Sequence, residues 1–119
     1  MENNKVLIYD NQHGFSRFLT KIFGEAYDFE IFKKFDNSLD FDNFEKEYLL
    51  AFFVIYSEKD LFDFIKIYRK GVPLVVCSYN EVLLHQLESI TDVNIINTSK
   101  SKQELVNDFQ IFLYTYVEV

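Results

Sequence analysis

Hydrophobic and polar positions follow two alternating rhythms along the chain. Short apolar runs of strand length give way to segments whose apolar residues recur every three or four positions. Val6–Tyr9 is a compact apolar run ending at Asp10-Asn11, which predicts a buried strand. Phe15, Phe18, Leu19, Ile22 and Phe23 then mark one face of an amphipathic helix, with Gly24 as its stop. Phe29–Phe35 predicts a second strand, and its Lys33-Lys34 pair suits an edge, where charge blocks further pairing. Residues 36–47 are acidic, with Leu39, Phe44 and Tyr48 as anchors of a short, weak helix. Leu49–Tyr56 is apolar throughout, as a central strand covered on both faces would be.

The second half repeats the scheme. Ser57 and Asp60 have the spacing of a helix start, Leu61, Ile65 and Tyr68 carry the helix, and Gly71 ends it. Val72–Cys77 predicts a fourth strand, with Pro73 at its start, where a missing N–H is tolerated. Asn80 can cap a helix bearing Leu83, Leu84, Leu87 and Ile90. Val93–Ile96 is a fifth, short strand. Ser101 and Glu104 form a capping box before a last helix with Leu105, Phe109, Phe112, Leu113 and Tyr116 on one face. Five strand–helix repeats imply an α/β domain over residues 1–119, a three-layer αβα arrangement with a parallel sheet and right-handed crossovers. In such sheets sites lie at the carboxyl ends of the strands. The residues there are Asp10, Asn11, Tyr56, Ser57, Ser78 and Thr98.

Charge and composition narrow the function. Twelve basic against 19 acidic residues leave −7, which disfavours nucleic-acid binding and adsorption on anionic membrane. The longest apolar run, Leu49–Tyr56, falls far short of the roughly 20 residues that span a bilayer. Met1–Lys5 is polar and leads straight into a strand, so no signal peptide is expected, and a single cysteine fits a reducing cytoplasm.

Two segments carry a family resemblance: K-V-L-I-Y-D-N at Lys5–Asn11, with Leu19 and Phe23 at the matching helix spacing, and V-P-L-V-V-C-S ending in Ser78. The chain resembles the receiver domain of two-component response regulators. The resemblance implies a flavodoxin-like, five-stranded parallel sheet of order 2-1-3-4-5. It also implies an acid pair after the first strand, holding Mg²⁺, and a phospho-accepting Asp after the third. A hydroxyl after the fourth strand and a Lys after the fifth complete the set. Here the pair is Asp10-Asn11, the acceptor position falls on Tyr56 or Ser57, Ser78 supplies the hydroxyl, and Thr98 stands for the Lys. Lys100 replaces that Lys only under a shifted loop. The expectation is a phosphorylation-incompetent pseudo-receiver, not an enzyme. It would have no cofactor, at most weak Mg²⁺ binding at Asp10, and a protein partner in a signalling pathway. The alternative is a divergent receiver that still accepts a phosphoryl group in a phosphorelay.

Each of these residues also has a plainer reading. Asp10 suits a strand-end carboxylate accepting backbone N–H bonds from the next turn. Ser57 suits a helix N-cap, and Ser78 has the same spacing to Glu81. His13 lies near Asp10 but reads as a loop residue. Cys77 sits in an apolar strand, and catalysis with His85 lacks a third, orienting residue. The first loop, D-N-Q-H-G, offers one Gly and an acid, which argues against nucleotide or flavin phosphates. Val106, Ile111 and Tyr114 fall outside the core stripe of the last helix. They predict an exposed apolar strip, and receivers commonly associate through this region, so a homodimer through the last helix is expected.

Overall fold

The computed structural model describes residues 4–36, 38–89 and 93–117. Five parallel strands, β1 (Lys5–Tyr9), β2 (Asp28–Phe32), β3 (Leu50–Val54), β4 (Leu74–Ser78) and β5 (Val93–Asn97), form one sheet of order β2-β1-β3-β4-β5. The helices are α1 (Gly14–Phe23), α2 (Phe44–Glu47), α3 (Lys59–Ile67), α4 (Glu81–Glu88) and α5 (Lys102–Tyr116); a single 3-10 turn, Phe41–Asn43, precedes α2. This is the expected receiver-like αβα architecture.

Strand side chains alternate between two cores. Leu7, Tyr9, Phe53 and Val76 pack with Phe44, Phe64, Ile67 and Leu87 of α2, α3 and α4. Val6, Ile8, Phe52, Val54 and Val75 pack with Leu19, Leu105, Phe109 and Leu113 of α1 and α5. β3 and β4 are buried at every position, as continuous apolar runs require when helices cover both faces. Pro73 sits just before β4, where its carbonyl accepts the Ala51 N–H and its missing donor costs nothing.

Several expectations are corrected. β2 is an edge strand, but it ends at Phe32, and Lys33-Lys34 lie beyond it. The chain turns there because Phe35 is drawn into the α2–α3 core. On α3 the buried face is Asp60, Phe64 and Ile67, with Ile65 exposed and Leu61 and Tyr68 half-buried. Apolar residues occur all round this helix, so spacing alone does not choose its inner face. The Asp60 carboxylate does: it accepts the backbone N–H groups of Tyr56 (2.8 Å) and Ser57 (3.2 Å), turning its own side of the helix inward. Gly24 closes α1 in ordinary helical conformation, its N–H on the Thr20 carbonyl, and a Cβ there would collide with that carbonyl. Ile90, expected on α4, lies outside the described residues.

Candidate functional site

Parallel strands bring their carboxyl ends to one edge of the sheet, so Asp10, Asn11, Tyr56, Ser57, Ser78 and Thr98 all lie at that end. Asp10 follows β1 and is fully buried. Its Oδ2 accepts the Ser16 N–H at 2.7 Å and its Oδ1 accepts the Gln12 N–H at 3.2 Å. The same Oδ1 accepts the Tyr56 hydroxyl at 2.6 Å. The carboxylate therefore staples the end of β1 both to the first turn of α1 and to the end of β3. His13 enters this turn with φ 64, in the left-handed region, and its Nδ1 lies 3.4 Å from the Ser16 hydroxyl. Asn11 is exposed and donates its amide to the Lys33 carbonyl.

Asp60 supplies the acid's half of the expected capping box, reaching back to the Ser57 N–H, while the serine's half is not made. The Ser57 hydroxyl makes no cap bond to α3 and is exposed, while Asp60 holds the turn. Tyr9 reaches the same region, donating to Asp63 at 2.7 Å and approaching Asp60 at 3.4 Å. Sequence reasoning paired Asp60 with Ser57 at the helix start, but left open that Asp60 would be buried and would hold the Tyr56 N–H as well. Ser78 is buried and its hydroxyl accepts the Asn80 N–H at 3.1 Å; Asn80 itself caps α4 by accepting the Leu83 N–H at 3.1 Å. Ser78 is thus a turn residue and not the cap its spacing to Glu81 suggested. Thr98 is half-buried, with its N–H on the Ser78 carbonyl. Lys100 pairs with Asp108 at 2.8 Å.

These residues do not fit Mg²⁺. Octahedral Mg²⁺ needs free carboxylate oxygens and keeps several waters. Both oxygens of Asp10 are already engaged by three donors, the Asn11 amide faces Lys33, and the third-strand position offers a neutral phenol. Among the described residues, no three His, Cys, Asp or Glu side chains gather so as to hold a metal ion. Cys77 is fully buried and burial pushes its thiol well above the ordinary range, whereas His85 is exposed and faces Glu88; the two do not meet.

Tyr9, Tyr48 and Tyr56 all keep their protons well above the ordinary value of 10.0. Burial is the main cause in each case, and a carboxylate beside each hydroxyl adds to it: Asp63 at Tyr9, Glu30 at Tyr48 and Asp10 at Tyr56. The neutral phenol is the folded form. Its stabilisation is therefore present in full below the unfolded value and is lost as pH rises through 10 toward the raised folded values. We expect the urea midpoint to hold steady to mildly alkaline pH and then fall, with the tyrosinate absorbance of Tyr9, Tyr48 and Tyr56 appearing only together with unfolding. Ionisation of all the tyrosines in a protein that is still folded would contradict this.

On α5, Ile111 and Tyr114 are 60% and 66% exposed and line a shallow groove with Asn107, Gln110 and Thr115. Val106, expected with them, is half-buried and does not line it. Among the described residues no helix is long and apolar enough to cross a membrane.

No family model and no curated protein matches the chain. Among solved structures it is similar to a response regulator receiver domain protein (CheY-like) from Methanospirillum hungatei JF-1, at 18% sequence identity over 97% of each chain and a TM-score of 0.63. The chain thus has the fold of a receiver domain, with Asp10 and Tyr56 joined where its first and third strands end.

Proposed function

We propose that this chain is a cytoplasmic pseudo-receiver, a signalling module that takes up no phosphoryl group and works by binding a protein partner. The observation that carries the reading is the bond from the Tyr56 hydroxyl to Asp10, at 2.6 Å. A working receiver attacks phosphate with a carboxylate and gathers Mg²⁺ with its neighbours. Here the expected acceptor position carries Tyr56, and its phenol occupies the one acid left beside it. Tyr56 is also a poor nucleophile, because burial and Asp10 both hold it in the protonated form. The test is incubation with Mg²⁺ and a small phosphodonor such as acetyl phosphate, followed by intact-mass measurement. The expected spectrum shows the unmodified chain. An alkali-labile phosphate adduct that disappears in Asp10→Ala would overturn the reading, and one that disappears in Ser57→Ala would establish the divergent receiver instead.

The output surface in this reading is the exposed face of α5 around Ile111 and Tyr114, with the half-buried Val106 excluded from it. Replacing Ile111 and Tyr114 together by Glu on this exposed face is expected to change stability by less than about 1 kcal/mol. Light scattering should show any wild-type dimer reduced to monomer in the variant, with circular dichroism confirming the fold. A dimer that persists in the folded variant, or a partner still bound at full affinity, removes this face from the proposal.

A further inference from the structure

The phase of α3 has a consequence on the opposite side of the helix. With Asp60, Phe64 and Ile67 turned inward, Phe62 and Ile65 point to solvent at 72% and 69% exposure. Val82, in the first turn of α4, is 71% exposed. These three side chains line one continuous groove between α3 and α4, floored by Leu61 and Leu83. Phe62 and Ile65 are neighbours on one helical row, so the groove offers anchors at the spacing an incoming helix presents. Scattered exposed apolar residues need no explanation, but a contiguous patch containing a nearly bare Phe does. The α5 surface is a separate groove and shares no lining residue with this one.

Charge points to the occupant. The one ionised side chain in the groove wall is Glu58. Glu81 and Glu88 turn to the other side of α4, where they line a separate pocket with His85 and Lys100, so the acidic character of the groove itself is that of Glu58. Lys66 is committed to Asp63 and the Phe35 carbonyl. A second copy of this chain would bring its own −7 and its own Glu58 against this wall. Repulsion of that kind opposes self-association and favours a basic partner.

We propose that the α3–α4 groove docks an amphipathic helix of a partner protein, its apolar stripe on Phe62, Ile65 and Val82 and its polar flanks basic. The proposal rests on reading the chain as a partner-binding domain, and adds a second surface and the chemistry of what it takes. Two synthetic helical peptides test it, with the same leucine stripe but polar faces of Lys in one and Glu in the other. Fluorescence anisotropy should show binding of the Lys peptide, weakening with salt, and little binding of the Glu peptide. Amide shifts in the labelled protein should centre on Phe62, Ile65, Val82 and Leu83. Phe62→Gln and Val82→Gln should each weaken binding about tenfold. Glu58→Lys should shift preference toward the Glu peptide, and circular dichroism checks that each variant is folded. Equal affinity for both peptides, shifts centred on Ile111 and Tyr114, or no binding overturns the proposal. So does a wild-type dimer that Phe62→Gln converts to monomer, since a second copy would then be the occupant. None of these failures touches the phosphodonor result, which tests the pseudo-receiver reading separately.

Discussion

Phe109→Ala will cost the fold about 3–5 kcal/mol, a large part of the total stability of a domain this size. Phe109 is fully buried at the centre of the layer formed by α1 and α5 on the sheet. Its ring meets Phe52 of β3 edge-on at 5.0 Å and lies 6.3 and 6.5 Å from Phe18 and Phe15 of α1. One side chain thus links a strand and both helices of that face. Truncation forfeits the buried area and leaves a void lined by three aromatic rings, which are too large to collapse into it. The loss also exceeds that expected at Phe62, which has the same chemistry but is mostly exposed. Urea unfolding of Phe109→Ala and Phe62→Ala side by side checks the contrast. Similar midpoints for the two variants would mean that the α1–α5 core is not packed as described.

Phe109 was legible in the sequence, and the reason shows where sequence reading works. Continuous apolar runs this short, bounded by turn residues, fit strands covered on both faces, so β1, β3 and β4 and their interior position followed directly. The last helix announced itself through one clean stripe and a capping box, and Ser101 does accept the Glu104 N–H at 3.3 Å. The helix α3 did not, because apolar residues surround it. Its inner face was chosen by Asp60, a polar residue that a hydrophobic pattern discounts. The strand-end site failed to show itself for a different reason. Its residues could be placed at one edge of the sheet from topology alone. What they do to one another depends on contacts between positions 46 and 54 apart in the chain, Tyr56 to Asp10 and Tyr9 to Asp63. A sequence motif gives residue types at spacings. It does not say that a phenol standing at an acceptor position will turn back onto the remaining acid.

That bond sets up the sharpest test of what Asp10 is for. A carboxylate kept for chemistry is commonly held at the expense of stability, so its removal leaves the fold unharmed or improves it. A carboxylate kept as a staple behaves in the opposite way. Asp10 is fully buried and satisfies the Ser16 N–H, the Gln12 N–H and the Tyr56 hydroxyl at once. Asp10→Ala orphans all three, and each buried unsatisfied donor costs about 1–3 kcal/mol, so a loss of about 3 kcal/mol is expected even if water reaches one of them. Tyr56→Phe removes one donor and keeps the ring, and should cost about 1.5–3 kcal/mol, the range for a hydrogen bond to a charged acceptor. Because the two side chains share one bond, the double variant Asp10→Ala/Tyr56→Phe should be less damaged than the sum of the singles, with a coupling of about 1 kcal/mol or more in urea unfolding. Additive losses would mean the bond contributes nothing in solution. An Asp10→Ala protein as stable as the wild type, or more so, would mean that Asp10 is held for chemistry, and would count directly against the reading of this chain as a pseudo-receiver.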